Sequence, residues 1–220
     1  MQQPIHMVIP FKHENAKSRL SSVLSPVERR LLAFAMLRDV LSAVLGQGWA
    51  TVLSRPGLDI FEVGCDVEIV ESERELNDAL NSLIAEEGRR GWPLEILIVM
   101  ADLALLTEKD VVGILNCEGD LVLCPGRGGG TNMILIRSPA FRTCYQGLSF
   151  PRHLAFAREA GLSVTVFESF RAGCDIDEPE DLSEVLLHGR GETKALLEKL
   201  NFKLSEDPRS SCTREMISSP

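Results

Sequence analysis

The chain has 220 residues, a formal net charge of −9 and a pI near 5.0, with 45% hydrophobic and 25% charged residues. That length suits one sizeable domain with a real core, and the acidic balance argues against a nucleic-acid partner while leaving a small nucleotide open as substrate. No apolar run reaches the ~18–20 residues that span a bilayer, the first six residues (MQQPIH) lack the pattern of a secretion signal, and six scattered cysteines without a Cys-x-x-Cys pair read as reduced thiols, so a cytoplasmic protein with no membrane partner is expected.

In chain order, residues 5–9 form a short apolar strand stopped by Pro10, and a polar turn carrying Lys12, Lys17 and Arg19 follows. Ser25-Pro26-Val27-Glu28 is a helix start, with Ser as N-cap and Glu three residues on, and Gly46 suits the helix end. Strands are expected at 50–53 and 67–70, and a helix at 76–87 closed by Gly88 and Gly91. The near-continuous apolar run 94–100 predicts a strand buried on both faces, ending at Ala101-Asp102. A helix from Thr107 to about Leu115 precedes strands at 120–124 and 133–136, joined by a loop with four glycines. A short helix is expected at Ser138-Pro139, a longer one over 150–160, a strand over 163–167 and an extended end at 174–177. Further helices open at Glu178-Pro179 and run over 192–200. The chain turns polar near Leu204, which predicts one domain over 1–203 and a C-terminal tail over 204–220.

Strands alternating with helices define an α/β domain with a largely parallel sheet, and the 120–136 hairpin, whose strands must be antiparallel, makes that sheet mixed. In such sheets ligands bind outside the carboxyl ends of the strands. That rule selects four places: the basic turn after residue 9, Asp102, the glycine loop, and Asp175/Asp177. Asp102 is either a cap for the helix near Thr107 or a metal ligand. Asp175-Ile176-Asp177 sets two carboxylates on one face of an extended segment, where their repulsion calls for a cation, although Asp177 is also placed to cap the next helix. Three such carboxylates suit Mg2+, a hard ion that prefers oxygen. Lys12, Lys17 and Arg19 are either a solvated run or a grip on phosphates. The glycine loop, with Arg127, Thr131 and Asn132, is either a hairpin tip or an anion cradle. Ser149-Phe-Pro-Arg152-His153 opens a helix whose free N–H groups offer another anion site, or whose serine is an ordinary cap. No P-loop follows the first strand, which excludes a P-loop NTPase; the missing Gly-x-Gly-x-x-Gly and Gly-x-Ser-x-Gly elbow count against dehydrogenase and hydrolase readings.

The ordered set Ile9-Pro10-x-Lys12, Ala16–Leu20, Ala101-Asp-Leu103, Arg127-Gly-Gly-Gly-Thr-Asn132, Ser149-x-x-Arg-His153 and Asp175-Ile-Asp-x-Pro-Glu-Asp-Leu182 resembles the 2-phospho-L-lactate guanylyltransferase family of coenzyme F-420 biosynthesis. The resemblance implies a three-layer GT-A-like nucleotidyltransferase fold, a mixed and mostly parallel sheet of about seven strands with one antiparallel. It implies GMP transfer from GTP to 2-phospho-L-lactate, or to phosphoenolpyruvate in some relatives, with release of pyrophosphate and a homodimeric assembly. Carried over by position, Asp102, Asp175 and Asp177 are the Mg2+ ligands, and Thr131, Ser149 and Gly147 touch the small phosphorylated 2-hydroxy acid, alongside Arg127 and Asn132. Lys12, Lys17 and Arg19 are expected on the triphosphate, with Lys17, Arg19 and Asp102 as the catalytic groups and Leu76-Asn77 as the candidate base contact. Three departures stand out. Ala104 follows Asp102-Leu103 where the family usually has proline, Gly126 stands where an Asp often precedes the arginine, and residues 145–149 replace a Gly-Pro-rich segment. Rival readings are a relative of the same fold acting on a sugar phosphate or a pterin cofactor, and a non-catalytic nucleotide-binding scaffold.

Overall fold

Each central strand alternates its side chains between two apolar layers, which is what builds the molecule around a single sheet. In the computed structural model, which describes residues 5–14, 16–90, 95–205 and 212–214, β1 (Ile5–Phe11) sends Met7, Ile9 and Phe11 to one layer and Val8 to the other. β4 (Ile96–Val99) splits Leu97 and Val99 from Ile96 and Ile98 in the same way. The remaining strands are β2 (Gly48–Ser54), β3 (Glu68–Glu71), β5 (Leu121–Pro125), β6 (Thr131–Ile136) and β7 (Val164–Val166). They assemble in the order β3-β2-β1-β4-β6-β5-β7, and β6 alone runs antiparallel to its neighbours. The sequence expectation of an α/β fold with one antiparallel strand in a mostly parallel seven-stranded sheet therefore holds.

Helices α1 (Pro26–Val44) and α4 (Glu108–Leu115) cover one face of the sheet. Helices α3 (Leu76–Arg89) and α5 (Ser149–Glu159) cover the other, where Leu80, Ile84 and Ala157 meet Ile96, Ile98 and Ile134. α1 has little polar face because it is buried twice over. Phe34, Leu37 and Leu41 face the sheet, while Leu32 and Met36 join a third cluster with Leu182, Val185 and Leu197 of α6 (Leu182–His188) and α7 (Glu192–Lys199). Its start carries the expected capping box between Ser25 and Glu28, a device worth about 1 kcal/mol.

Several local expectations are corrected. Ser138-Pro139 makes no helix; the chain turns there, closed by Phe141 N–H donating to the Ser138 carbonyl at 3.3 Å. Residues 174–177 join no ladder. Asp102 caps nothing, because Thr107 and Asp110 form their own capping box at α4. Asp177 is likewise free of capping duty, since Glu178 and Asp181 close the box that follows. Three short elements carry too few residues to show a period: the single turn α2 (Ile60–Val63), β8 (Phe202–Leu204) and β9 (Cys212–Arg214). Leu94, Gly91 and residues 206–211 and 215–220 of the expected tail lie outside the described residues.

The described part of that tail is tied back. β9 pairs antiparallel with β8, and the Arg214 guanidinium reaches Glu28 and the Val23 carbonyl while lying over the Phe202 ring. The hydrogen bond from Arg214, followed by that from the Ser25 N–H, holds the Glu28 carboxyl down at about 2. A depressed carboxyl contributes stability above its ordinary value and loses it as pH falls toward the folded value. Arg214→Ala should therefore lower the thermal midpoint at pH 6, by the fraction of a kcal/mol typical of an exposed pair, about 0–1 kcal/mol. That gap to the wild type should narrow as pH falls from about 4.5 toward 3; calorimetry across that window checks it.

Candidate active site

The carboxyl ends of β1, β2 and β4 open on one edge of the sheet, where two cavities adjoin. One, of about 290 Å3, is lined by Leu53, Ser54, Arg55, Ser72, Arg74 and Leu76. The other, of about 300 Å3, is lined by Lys17, Ala101, Asp102 and Asp177. Pro10, Phe11, Lys12 and Met100 form the ridge between them and touch both. A larger cavity of about 570 Å3, between α1 and the 104–109 and 189–191 segments, is lined by none of the expected metal, nucleotide or acid contacts.

Lys17 is the hub of the second cavity. Its ammonium donates to Asp102 Oδ2 at 2.8 Å and to Asp177 Oδ1 at 2.7 Å, and the side chain is only 11% exposed. Burial alone would lower its pKa, but the two carboxylates outweigh that and raise it. The backbone of Lys17 is left-handed, with φ 54°, which costs a side-chain-bearing residue roughly 1–2 kcal/mol. Two charge-assisted hydrogen bonds, each worth about 1.5–3 kcal/mol, are enough to hold it there. Arg19 lies further out, 3.5 Å from Asp177 and 3.4 Å from Glu178, and is mostly exposed.

Asp175 joins this group from the other side. Its Oδ1 accepts from Asn132 Nδ2 at 3.2 Å, and the same amide donates to the Ala172 carbonyl at 2.9 Å. Ile176 N–H donates to the Asp102 carbonyl, which lays the 175–177 segment alongside the end of β4. Burial raises the Asp175 carboxyl pKa, and the nearby Asp102 and Asp177 charges add to that, against the Asn132 hydrogen bond. Asp102 Oδ1 is buried with no hydrogen-bond partner. An orphaned carboxylate oxygen and an all-oxygen, acidic donor set suit a hard divalent cation. Among the described residues, however, no three acids close on one metal-sized point, because the Lys17 ammonium stands between Asp102 and Asp177.

A β-bulge exchanges the faces of the sheet that Thr131 and Asn132 would otherwise take. Cys124 pairs with Met133 but Pro125 with Thr131, so Asn132 is an extra residue on β6. Strict alternation would put Thr131 on the same face as Met133 and Leu135. The bulge resets it: Asn132 turns toward Asp175, and Thr131 turns to α5. A Cβ at Gly126 would meet the Asn132 amide oxygen at 2.4 Å, so this amide fills the space that a larger residue would need.

Thr131 and Ser149 are both buried, and Ser149 Oγ lies 3.2 Å from Thr131 Oγ1. Ser149 is the first residue of α5 and its hydroxyl serves Thr131, so the cap reading fails; the N-cap is Leu148, whose side chain makes no cap bond. Phe150 N–H is taken by the Gly129 carbonyl and Pro151 has none, which leaves fewer free N–H groups at this helix start than expected. Gly147 is exposed with φ 56°, a conformation glycine adopts cheaply. Two expected contacts point elsewhere. Arg127 turns away from Thr131, pairing with Glu184 at 3.4 Å and lying over the Phe170 ring. Asn77 Oδ1 accepts the Tyr145 N–H at 2.7 Å, so its carbonyl is committed to the 143–145 loop.

Three sets of residues take roles here that their local sequence does not give them. His153, expected only as a basic group at the start of α5, lies four residues after Ser149 on the same helix face and bonds Thr131. Asn81, four after Asn77, accepts from Thr143 N–H at 2.8 Å. Ser54, Arg55, Ser72 and Arg74 line the first cavity, and no local pattern marks them.

The mixed, mostly parallel seven-stranded sheet is the fold of solved nucleotidyltransferases. Solved structures of the same fold include a protein of Desulfovibrio desulfuricans G20 assigned as a nucleotide-diphospho-sugar transferase, with a TM-score of 0.74, 18% identity, and 90% of this chain and 95% of that one covered. A nucleotidyl transferase from Methanothermobacter thermautotroptrophicus aligns with a TM-score of 0.59 at 19% identity, over 90% of this chain and 100% of that one. The chain belongs to the family described as "Guanylyl transferase CofC like", whose model matches residues 5–219. Its relatives include the 2-phospho-L-lactate guanylyltransferase of Methanothrix thermoacetophila, 53% identical over 94% of each chain. Another, of the same name, is that of Archaeoglobus fulgidus, 39% identical over 93% of this chain and 96% of the relative.

Lys17 offers a direct test of the hub. Lys17→Ala and Lys17→Gly both remove the charge, but only alanine keeps the left-handed strain. The glycine variant should be more stable than the alanine variant by about 1 kcal/mol in urea unfolding, with both below the wild type. Equal stabilities would mean that the backbone relaxes once the ammonium is gone.

Proposed function

We propose that this protein is a 2-phospho-L-lactate guanylyltransferase, which transfers GMP from GTP to 2-phospho-L-lactate and releases pyrophosphate, in coenzyme F-420 biosynthesis. The observation that carries this reading is the 53% identity, across 94% of both chains, to a relative of that activity. The geometry supports it. The first cavity lies where a nucleoside would enter between β1, β2 and β3, and Lys12 sits on the ridge leading to the acidic group. The second cavity takes the phosphates, and the Thr131–Ser149 pair takes the acid.

The reaction forms one P–O bond, from the acid's phosphate oxygen to the α-phosphorus of GTP, and breaks the bond to the leaving pyrophosphate. A phosphate nucleophile is already anionic near pH 7, so this chain need not supply a general base. Its task is to bring two anions together in line and to neutralise them. Lys12, Lys17 and Arg19 would carry positive charge to the triphosphate, Lys17 as a charge held in place before the substrate arrives. Asp102, Asp175 and Asp177 would hold Mg2+, which when bound supplies further positive charge against the phosphate oxygens. Such a cation competes with the Lys17 ammonium for Asp102 and Asp177. We further propose that residues 1–203 act as one catalytic domain in a cytoplasmic homodimer; no helix among the described residues is long and apolar enough to cross a membrane.

Pyrophosphate release should be measured with each NTP against 2-phospholactate, phosphoenolpyruvate and sugar phosphates. GTP with 2-phospholactate should give the highest kcat/KM; silence with every pair would favour a binding scaffold. Asp102→Asn should reduce turnover at least a hundredfold, on the order of 3 kcal/mol in the barrier, with an unchanged fold. Near-normal activity in that variant would remove Asp102 from the centre. Thr131→Ala should raise KM for the acid more than KM for GTP, and the reverse pattern would assign the glycine loop to the nucleotide.

A further inference from the structure

Three consecutive N–H groups, of Thr143, Cys144 and Tyr145, are each met by a side-chain acceptor: Asn81 Oδ1 at 2.8 Å, His153 Nε2 at 2.8 Å and Asn77 Oδ1 at 2.7 Å. The middle bond has a chemical consequence. A backbone N–H can only donate, so His153 Nε2 must be unprotonated there. The ring is fully buried, between Phe141 and the edge-on Tyr145 ring at 5.1 Å, and burial lowers its pKa to about 4, so it is neutral at pH 7. The single ring proton then sits on Nδ1, which lies 2.9 Å from Thr131 Oγ1 and donates to it.

The hydrogen count at the two hydroxyls follows. Thr131 and Ser149 together own two O–H donors, and the 3.2 Å bond between them uses one. Because His153 donates into this pair and takes nothing from it, one O–H is left over, whichever hydroxyl points at the other. That hydrogen has to find an acceptor. In the opposite tautomer, Nδ1 would take an O–H from Thr131 and none would remain, so the pair would show a ligand only lone pairs. An anion would then be repelled. The sign of the site, donor or acceptor, is set by one proton on a buried ring.

We propose that His153 is a positioning residue that leaves the buried Thr131–Ser149 hydroxyl pair with one surplus hydrogen-bond donor and so makes it select an anionic oxygen, a carboxylate or phosphate of the acceptor acid. This deepens the acceptor-site assignment made above and rests on it. Ser149 and His153 are four residues apart on α5, so one helix face presents both groups to β6, and Thr131 reaches them because of the Asn132 bulge.

The test has one measurement that needs no turnover and one that does. Imidazole 15N shifts of His153 in the full chain at pH 7 should report the Nδ1–H tautomer; an Nε2–H tautomer or an imidazolium overturns the proposal whatever the enzyme's substrate is. In the pyrophosphate assay with GTP and 2-phospholactate, His153→Asn keeps an N–H near the Nδ1 position and should hold the acid KM within about threefold of wild type. His153→Gln, which places its amide near Nε2, should raise the acid KM at least tenfold and leave the GTP KM within twofold. Equal effects of the two variants on the acid KM, or a loss of thermal stability with the acid KM unmoved, would make His153 a merely structural residue. A wild type without turnover would defeat the function proposed above, and the tautomer measurement would still decide this one.

Discussion

Everything at the candidate site depends on one buried ammonium. Lys17 holds together the turn after β1, the end of β4 and the 175–177 segment, pieces of chain 85 and 160 residues away from it in the case of Asp102 and Asp177. Without a cation, two carboxylates at this spacing would push those segments apart. With it, the segments meet at the carboxyl edge of the sheet, and the lysine accepts a left-handed backbone as the cost. Charge arithmetic shows why the arrangement is receptive. Asp102, Asp175 and Asp177 carry three potential negative charges against the Lys17 ammonium and the more exposed Arg19 guanidinium, and one oxygen of Asp102 has no partner at all. A group that is over-supplied with buried oxygen and under-supplied with positive charge is suited to a divalent ion accompanied by phosphate.

The antiparallel strand β6 distributes the work. Coming back between β4 and β5, it delivers its first two residues to the same edge at which the parallel strands end, and its bulge decides which face each of them takes. Asn132 steadies Asp175 on the acidic side, and Thr131 enters the hydroxyl pair under α5. Strand alternation separates a cation-attracting half from an anion-attracting half within a single peptide unit, and the one inserted residue sets which side is the cation-attracting one. Substrates of like charge need such a division, since each must be neutralised by its own groups before they can approach in line.

Rigidity on the acceptor side comes from side chains that satisfy backbone. Asn77 and Asn81 on α3 and His153 on α5 hold the irregular 143–145 loop, which has no ladder to satisfy its N–H groups. Tying that loop to two helices fixes both the histidine's tautomer and the position of α5 against β6. This also explains why Asn77, though near the first cavity, has its carbonyl engaged: it is part of the frame.

Composition, periodicity and caps by themselves determined the α/β class, the strands of the central sheet, the start of α1 with its Ser25–Glu28 box and the mixed character of the sheet. These features are local or follow from alternation, so a short window of residues is enough to read them. The same logic selected the strand-end carboxylates and the basic turn, because strand ends are where such sheets bind. What only the tertiary structure decided are relations between distant residues and the geometry of irregular backbone. That Lys17 sits between Asp102 and Asp177 depends on long-range pairing. That Arg127 faces Glu184 and Phe170 depends on where α6 packs. That Thr131 turns to α5 and Asn132 to Asp175, and not the reverse, depends on a bulge, which shifts the phase of the period-two rule that a reading of sequence relies on. His153 stood in plain view four residues from Ser149, yet its role required the backbone N–H of Cys144 to be brought against its other nitrogen, a contact that no spacing announces.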